Sequence, residues 1–304
     1  MYDNERLRKY FERIDLPIEG EILHHFLNNP TIGGLETLQT FHLASVPFES
    51  VSLHYSQTRL LSLDQDDLYE KIVVKQRGGY CMEVNAFFRN VLLGLGYTLI
   101  SAGARVNGPG GYNGLTHMVN IVTLNGKRHL VDVAFGSNSP LRPIPLESGI
   151  VFDGVGQQKG KLEYRAIAQH SDKDQRIWVY STQETRSVPW KEQYCFMDIE
   201  FFPSDFEVMN LSTMTSPRSI FVKTVVASIV LLAAEGEPCG KATLNHDYLR
   251  IRWNGEDKVT KLETEEERVA ALERHFGIRL STKEKAAIRG LPSELKRNAA
   301  GADF

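Results

Sequence analysis

The chain has 304 residues, more than one ordinary domain needs, and its 42% hydrophobic and 24% charged residues suit a globular protein with sizeable cores in two or three structural units. A net charge of −3 gives no electrostatic reason to expect a nucleic-acid partner or a strongly anionic surface. Three widely separated cysteines, Cys81, Cys195 and Cys239, form no CxxC pair, which argues against a disulfide framework or a thiolate zinc site and fits a reducing compartment.

The first hundred residues read mainly as helices. Leu7, Tyr10, Phe11 and Ile14 recur at helical spacing, and Pro17 would end that helix. A second helical piece covers Glu19 to Leu27 and is broken by Asn28, Asn29, Pro30 and the Gly33-Gly34 pair. A third runs from Leu35 to about Ser45, and Asp64 to Val74 reads as another, capped by Asp64 or Ser62. Met82 to Leu95 is apolar on one face through Val84, Phe87, Phe88, Val91, Leu92 and Leu95, and Gly94 and Gly96 close it.

The texture changes at Thr98. Leu99–Val106, His117–Leu124, His129–Val133 and Ile177–Ser181 are short strand-like runs, with a hairpin signal at Asn125-Gly126, and together they predict a small barrel or curled sheet. Asn107 to Gly114 is glycine-rich. It lacks the strand–helix frame and lysine of a phosphate-binding loop, and reads as a mobile lip beside His117. In the last third, Phe221–Ala234 and Lys241–Trp253 read as strands, with Trp253-Asn254-Gly255 as a turn. Thr264–Phe276 reads as a helix with a capping-box start at Thr264 and Glu267, and the tail after Leu291 as fraying. The apolar run Thr224–Ala234 is too short to span a bilayer, and the N-terminus lacks the apolar core of a signal peptide, so the expectation is a cytoplasmic protein without a membrane partner.

One segment stands out for chemistry: Arg77-Gly78-Gly79-Tyr80-Cys81-Met82-Glu83-Val84-Asn85. Two glycines make a sharp entry, and a cysteine follows where an apolar helix begins. There the helix dipole and free amides favour a thiolate nucleophile. The competing reading is a small buried cysteine. A thiol nucleophile works best with a base. Most of the nine histidines, His24 and His25 among them, read as surface or satisfied core residues. His117 differs because it starts the apolar strand Met118–Val122, at a mouth where it can face a cleft. Asp132 is an acid inside the apolar strand Leu130–Val133, where a carboxylate needs a partner. The Asn125-Gly126 turn folds that strand back toward His117, so the two can hydrogen-bond, unless Asp132 merely caps a loop. Cys81, His117 and Asp132 then form a nucleophile–base–orienter set. Its order alone equally suits a cysteine hydrolase or a transglutaminase-like acyl transferase.

These residues resemble the arylamine N-acetyltransferases. The family's Arg-Gly-Gly-aromatic-Cys-x-Glu-x-Asn signature matches Arg77–Asn85, its Thr-His matches Thr116-His117, and its Val-Asp-Val-Gly-Phe-Gly matches Val131–Gly136 with Ala134 in place of glycine. Tyr10–Ile14, Val46–Ser50, Asp205–Asn210, Ser212–Phe221 and Gly240–Leu244 extend the likeness over nearly the whole chain.

The resemblance implies an α+β, multi-domain fold with a cysteine-protease-like core. Residues 1–98 would form an N-terminal helical bundle carrying Cys81, 99–205 a central β-barrel carrying His117 and Asp132, and 206–304 a C-terminal α/β lid. It also implies a ping-pong transfer from acetyl-CoA, or from malonyl-CoA as in some fungal relatives, to an aromatic amine or hydrazine. No permanently bound cofactor and a monomer are expected. By the same resemblance Phe135 lines the acceptor pocket, unless it is an ordinary core residue. Gly136 and Ser137, with Asn138, lie in a loop near the CoA phosphates, and Thr213 and Ser216 lie in a CoA-contacting segment. Arg77 and Glu83 are expected to tie the bundle to the barrel by charge pairing. Insertions are expected around Asp153–Gly160 and Arg186–Asp198.

Overall fold

The computed structural model describes residues 1–16, 26, 27 and 29–296. The helix expected over Glu19–Leu27 lies almost entirely outside the described residues, as do His24, His25 and the end of the tail.

Helix α1 (Asn4–Arg13) opens where the Asp3 carboxylate accepts from Arg6 N at 2.9 Å, and it buries Leu7, Tyr10 and Phe11 on one face. Helix α2 (Ile32–Ser45) starts earlier than the sequence suggested. Gly33 and Gly34, read as breakers, lie in its first turn because the Thr31 hydroxyl caps it at Gly34 N, 3.0 Å away. A side chain at Gly34 would also meet the Tyr97 hydroxyl at 3.0 Å. The stretch expected as one helix from Asp64 is two. Asp64 caps α3 (Gln65–Tyr69), which widens into a π-helical turn over Glu70–Val74. Helix α4 (Cys81–Gly94) buries Met82, Val84, Phe87, Phe88, Val91 and Leu92, the centre of the N-terminal core, and ends before Gly96 in the left-handed region at φ 80°.

Strands β2 (Thr98–Gly108), β3 (Gly111–Leu124), β4 (Lys127–Val131), β5 (Ile144–Pro145), β6 (Ile150–Asp153), β7 (Lys159–Arg165), β8 (Ile177–Gln183) and β9 (Lys191–Phe196) form one antiparallel sheet, curled into a nearly closed barrel. Its order is β5-β4-β3-β2-β9-β8-β7-β6. The hairpin at Asn125-Gly126 is present, with both residues at positive φ (50° and 75°) and Leu124 paired with Lys127. The glycine-rich stretch is the tip of the β2–β3 hairpin rather than a lip. Asn107 pairs with Tyr112 and Gly108 with Gly111, and Tyr112 N is held by Gln169 Oε1 at 2.6 Å. Strand β3 therefore starts at Gly111 and places His117 mid-strand, not at a strand's mouth.

Helix α5 (Pro203–Thr215) and a one-turn α6 (Ile220–Lys223) lead into the second sheet, ordered β1-β10-β11-β12-β13. It comprises β1 (Phe48–Glu49), β10 (Val226–Leu232), β11 (Pro238–Asn245), β12 (Tyr248–Trp253) and β13 (Glu256–Lys261). The run read as a strand from Phe221 is helical at its start, and Thr224 N closes that turn on Ile220 O at 2.8 Å. Strand β13 is exposed throughout and carries no apolar alternation to announce it. It forms because Asn254-Gly255, at φ 48° and 86°, folds the chain back onto β12. Helix α7 (Glu265–Phe276), capped by Thr264 at Glu267 N and ended by left-handed Gly277, packs Leu272 and Phe276 beneath this sheet, and α8 (Thr282–Ala287) follows. Among the described residues no helix is long and apolar enough to cross a membrane.

Candidate active site

Separate apolar cores lie under α4, inside the barrel and beneath the second sheet, and the start of α4, with Tyr80, Cys81 and Val84, belongs to the first. The approach to that helix admits glycine only at Gly78, where a Cβ would lie 1.7 Å from Pro47 O. Gly79 N donates to Pro47 O and Gly79 O accepts from Glu49 N, so β1 grips the turn from outside. Tyr80 N donates to Glu83 Oε2 at 3.2 Å, and the Tyr80 hydroxyl donates to Asn210 Oδ1 on α5. Cys81 is thus the first residue of α4, beside first-turn amides that have no partner within the helix. It is 3% exposed, and its thiol donates to Thr116 O at 3.6 Å.

A β-bulge supplies that carbonyl. Ala104 pairs with His117 and Arg105 with Leu115, so Thr116 opposes no residue of β2. A bulge re-aims the side chain next to it, here the His117 imidazole, which is 1% exposed. His117 Nε2 donates to Asp132 Oδ2 at 2.7 Å, leaving Nδ1 for the sulfur. Burial pulls the imidazole pKa down. The Asp132 charge, its hydrogen bond and the neighbouring Cys81 outweigh burial and push it up to about 10.

Asp132 is not inside β4, as the sequence implied, but is the first residue past it. It is fully buried, and its pairing explains how the site tolerates it. Oδ1 accepts from Asn85 Nδ2 at 2.9 Å and from Ala134 N at 3.0 Å, and Oδ2 takes the His117 bond. Burial works to raise its pKa, and these partners hold it below the ordinary carboxylate value.

Asn85 is a site residue that reasoning from the residues left without a role. It lies one turn beyond Cys81 on the same face of α4 and is fully buried. Besides Asp132, its Nδ2 donates to Met118 O at 2.7 Å, and its Oδ1 accepts from Val133 N at 3.1 Å. A polar residue four positions after the cysteine in an apolar helix was the available signal. Tyr194 is another. Its ring lies 5.0 Å from His117 and 4.8 Å from Phe135, and burial, aided by the Asp132 charge, holds its phenol well above the ordinary range.

Phe135 presents an edge to His117, with ring centroids 5.0 Å apart. Gly136 begins a one-turn 3₁₀ helix over Gly136–Asn138 at φ 60°, and a Cβ there would meet the Phe48 ring at 3.2 Å. Ser137 O in that turn accepts from the Lys241 ammonium. Phe221 packs edge-on against Tyr80 and Phe48, which extends this aromatic wall. Thr213 is buried within α5, where its hydroxyl donates to Met209 O at 2.8 Å, and Ser216 ends that helix with its hydroxyl accepting from Arg218 N at 3.3 Å. Both hydroxyls are thus engaged by their own segment.

The charge pairing expected of Arg77 and Glu83 is directed elsewhere than to the barrel. Glu83 pairs with Lys71 at 2.6 Å inside the helical part, while Arg77 reaches Glu284 of α8 at 3.1 Å and Glu49 at 3.7 Å. Among the described residues no group of three or more His, Cys, Asp or Glu is placed to hold a metal ion.

Comparison with known proteins extends the picture. A family model described as N-acetyltransferase matches residues 31–285. A relative from Fusarium pseudograminearum named N-malonyltransferase FDB2 is 33% identical, covering 96% of this chain and 93% of its own. Arylamine N-acetyltransferase 1 of Rattus norvegicus is 27% identical over 91% and 95%. Among solved structures, the Mycobacterium marinum arylamine N-acetyltransferase in complex with CoA superposes with a TM-score of 0.76, at 26% identity over 93% and 98% of the two chains. The Mycobacterium abscessus enzyme, at 24% identity, shares the fold with a TM-score of 0.79 over 93% of each chain.

Proposed function

Because the chain belongs to the arylamine N-acetyltransferase family, we propose that it moves an acyl group from an acyl-CoA to an aromatic amine or hydrazine through a thioester on Cys81. The observation that carries this is the continuous run of contacts from the sulfur at the α4 N-terminus through His117 to a buried, fully bonded Asp132.

In this scheme His117 Nδ1 takes the thiol proton, and the imidazolium is held by Asp132 on its other nitrogen. The sulfur attacks the thioester carbonyl, and first-turn amides of α4 stabilise the oxyanion. The C–S bond to CoA breaks, His117 returns the proton to the departing CoA sulfur, and the acyl group stays on Cys81. An amine then attacks the acyl carbon and gives its proton to His117 as the Cys81 sulfur leaves. Burial of the sulfur and the aromatic wall of Phe135, Phe48 and Phe221 favour an aromatic acceptor over water.

Acetyl-CoA is the first donor proposed, supported by the N-acetyltransferase description of the matching family. Malonyl-CoA is the second reading, favoured by one observation: the 33% identical Fusarium relative carries the name N-malonyltransferase, whereas the rat arylamine N-acetyltransferase is 27% identical.

The test compares CoA release from acetyl-, propionyl- and malonyl-CoA, with and without an aniline-type amine, alongside mass spectrometry of Cys81. Acylated Cys81 and amine-dependent CoA release are expected. Release that proceeds at the same rate without amine would make the protein a hydrolase. No adduct with any donor would end the proposal.

A further inference from the structure

Lys241 is a buried cation that the transfer scheme leaves unused. It lies on β11 opposite Val230 and Arg252, and is 5% exposed. Its ammonium donates to Ser137 O and to Gln158 Oε1, the latter at 2.6 Å. Both acceptors are neutral. Among the described residues no carboxylate pairs with it directly, and the neighbouring Glu184 pairs with Arg252 instead. Burial pulls the Lys241 pKa down to about 8. A charge kept in such a place is costly to the fold, and a methionine would fill the same stem volume without that cost.

What the ammonium grips is the turn beside the reacting groups. Ser137 is the middle residue of the Gly136–Asn138 turn. Gln158, from the β6–β7 connection, relays the grip by donating to Asn138 Oδ1 at 3.0 Å, and Tyr180 donates to Asn138 O at 2.8 Å. The turn is closed at its start by Phe135 N donating to Ser139 Oγ at 2.7 Å. Phe135 in turn presents its edge to His117, and Gly136 abuts Phe48. Asp132 needs none of this, since Asn85, Ala134 and His117 hold it.

We infer that Lys241 is a positioning residue for substrate binding. It holds the Gly136–Asn138 turn directly through Ser137 O and indirectly through Gln158, and so fixes Phe135 over His117 in the geometry that receives the acyl donor. The inference rests on the acyl-transfer reading of this site. It assigns Lys241 no contact with the reacting atoms. The same contacts make the β6–β7 connection, through Gln158, part of the apparatus that sets donor affinity.

Lys241→Met in the full chain tests it with three readouts: kcat and KM for the acyl-CoA, hydrogen exchange of the peptide spanning Phe135 to Pro140, and the rate of Cys81 alkylation by iodoacetamide. The expected result is a KM raised about tenfold or more, equivalent to roughly 1.4 kcal/mol, with kcat within about threefold. Exchange at residues 136–139 should accelerate while β3 and α4 keep their protection, and the alkylation rate should be unchanged. Unchanged KM with unchanged exchange overturns the inference. So does faster exchange across both sheets with KM unaltered, which would make Lys241 a general tie between them. If Lys241→Met does not fold, Gln158→Leu takes its place, expected to move KM and turn exchange in the same direction, and its silence on both would count against the clamp. The exchange and alkylation arms need no substrate. Failure of the wild-type protein to release CoA would therefore sink the transfer reading while the clamp is decided separately.

Discussion

Asp132→Asn separates the shape of the site from its charge. The substitution is isosteric, and the structure shows which contacts survive. Asn85 Nδ2 and Ala134 N both donate to Oδ1, so an amide oxygen placed there keeps both bonds. The amide nitrogen then falls at the Oδ2 position, 2.7 Å from His117 Nε2. Two N–H groups cannot face each other there, so Nε2 must give up its proton and accept from the amide. The proton moves to Nδ1, the nitrogen left for Cys81, and a protonated Nδ1 cannot take a thiol proton. In serine triads the corresponding change costs about 10⁴ in rate, or about 5.4 kcal/mol of transition-state stabilisation. The expected loss here is of that order in kcat/KM, measured by CoA release with the amine present, with KM little changed. The fold should lose about 1–3 kcal/mol, because the imidazole becomes neutral rather than remaining an unpaired cation. Circular dichroism and a urea titration would check that the variant is folded. A folded Asp132→Asn protein within about tenfold of wild-type rate would refute the assignment of Asp132 as the residue that orients His117.

Three further outcomes follow. Cys81→Ala should abolish transfer and the acyl adduct while changing stability by about 1 kcal/mol or less, since one sulfur is removed from a 3% exposed position; mass spectrometry and thermal melts read both. Asn85→Ala strips partners from Met118 O, Val133 N and Asp132 Oδ1 at once. It should cost about 2–4 kcal/mol in urea unfolding and lower kcat, and a neutral effect on both would show that the asparagine is replaceable by water. The His117–Asp132 pair should also leave a pH signature. His117 is raised from 6.5 to about 10 in the folded state, so its contribution is full below pH 6.5, declines above that and is gone once pH passes about 10. Asp132 is lowered from 3.8, so its contribution is full above pH 3.8 and is lost as pH falls through its lower folded value. The stability difference between wild type and Asp132→Asn should therefore be greatest between about pH 4 and 6.5 and shrink toward pH 10; a difference that grows with alkalinity would contradict the raised imidazole.

Much of the helical part and the barrel was legible because single local signals suffice there. Thr264 with Glu267 marks the start of α7, and Asn125-Gly126 marks the β3–β4 hairpin. The misreadings share a cause. Gly33-Gly34 looked like a break because the Thr31 cap and the close approach of Tyr97 appear only in three dimensions. Strand β13 had no apolar pattern, being held by pairing alone. In the site, the order Cys81, His117, Asp132 was readable from residue type and the hairpin. The bulge at Thr116 was not, since it depends on how β2 runs past β3. The sequence marked Lys241 only as part of a strand, because its acceptors come from Ser137 and Gln158, 104 and 83 positions away.

Strand β1 and the residue after it bear on how the protein comes into being. Glu49 joins the approach to Cys81, while Ser50 Oγ accepts from Val226 N, 176 positions along the chain. Helices of the first hundred residues can form early from local contacts, but closing that long loop is slow. A nascent chain still short of β10 thus has Cys81 while the segment that steadies its approach has only half its partners. The surroundings of Cys81 are completed late in biosynthesis, and a polypeptide interrupted before residue 226 would hold Cys81, His117 and Asp132 without a finished cradle for them.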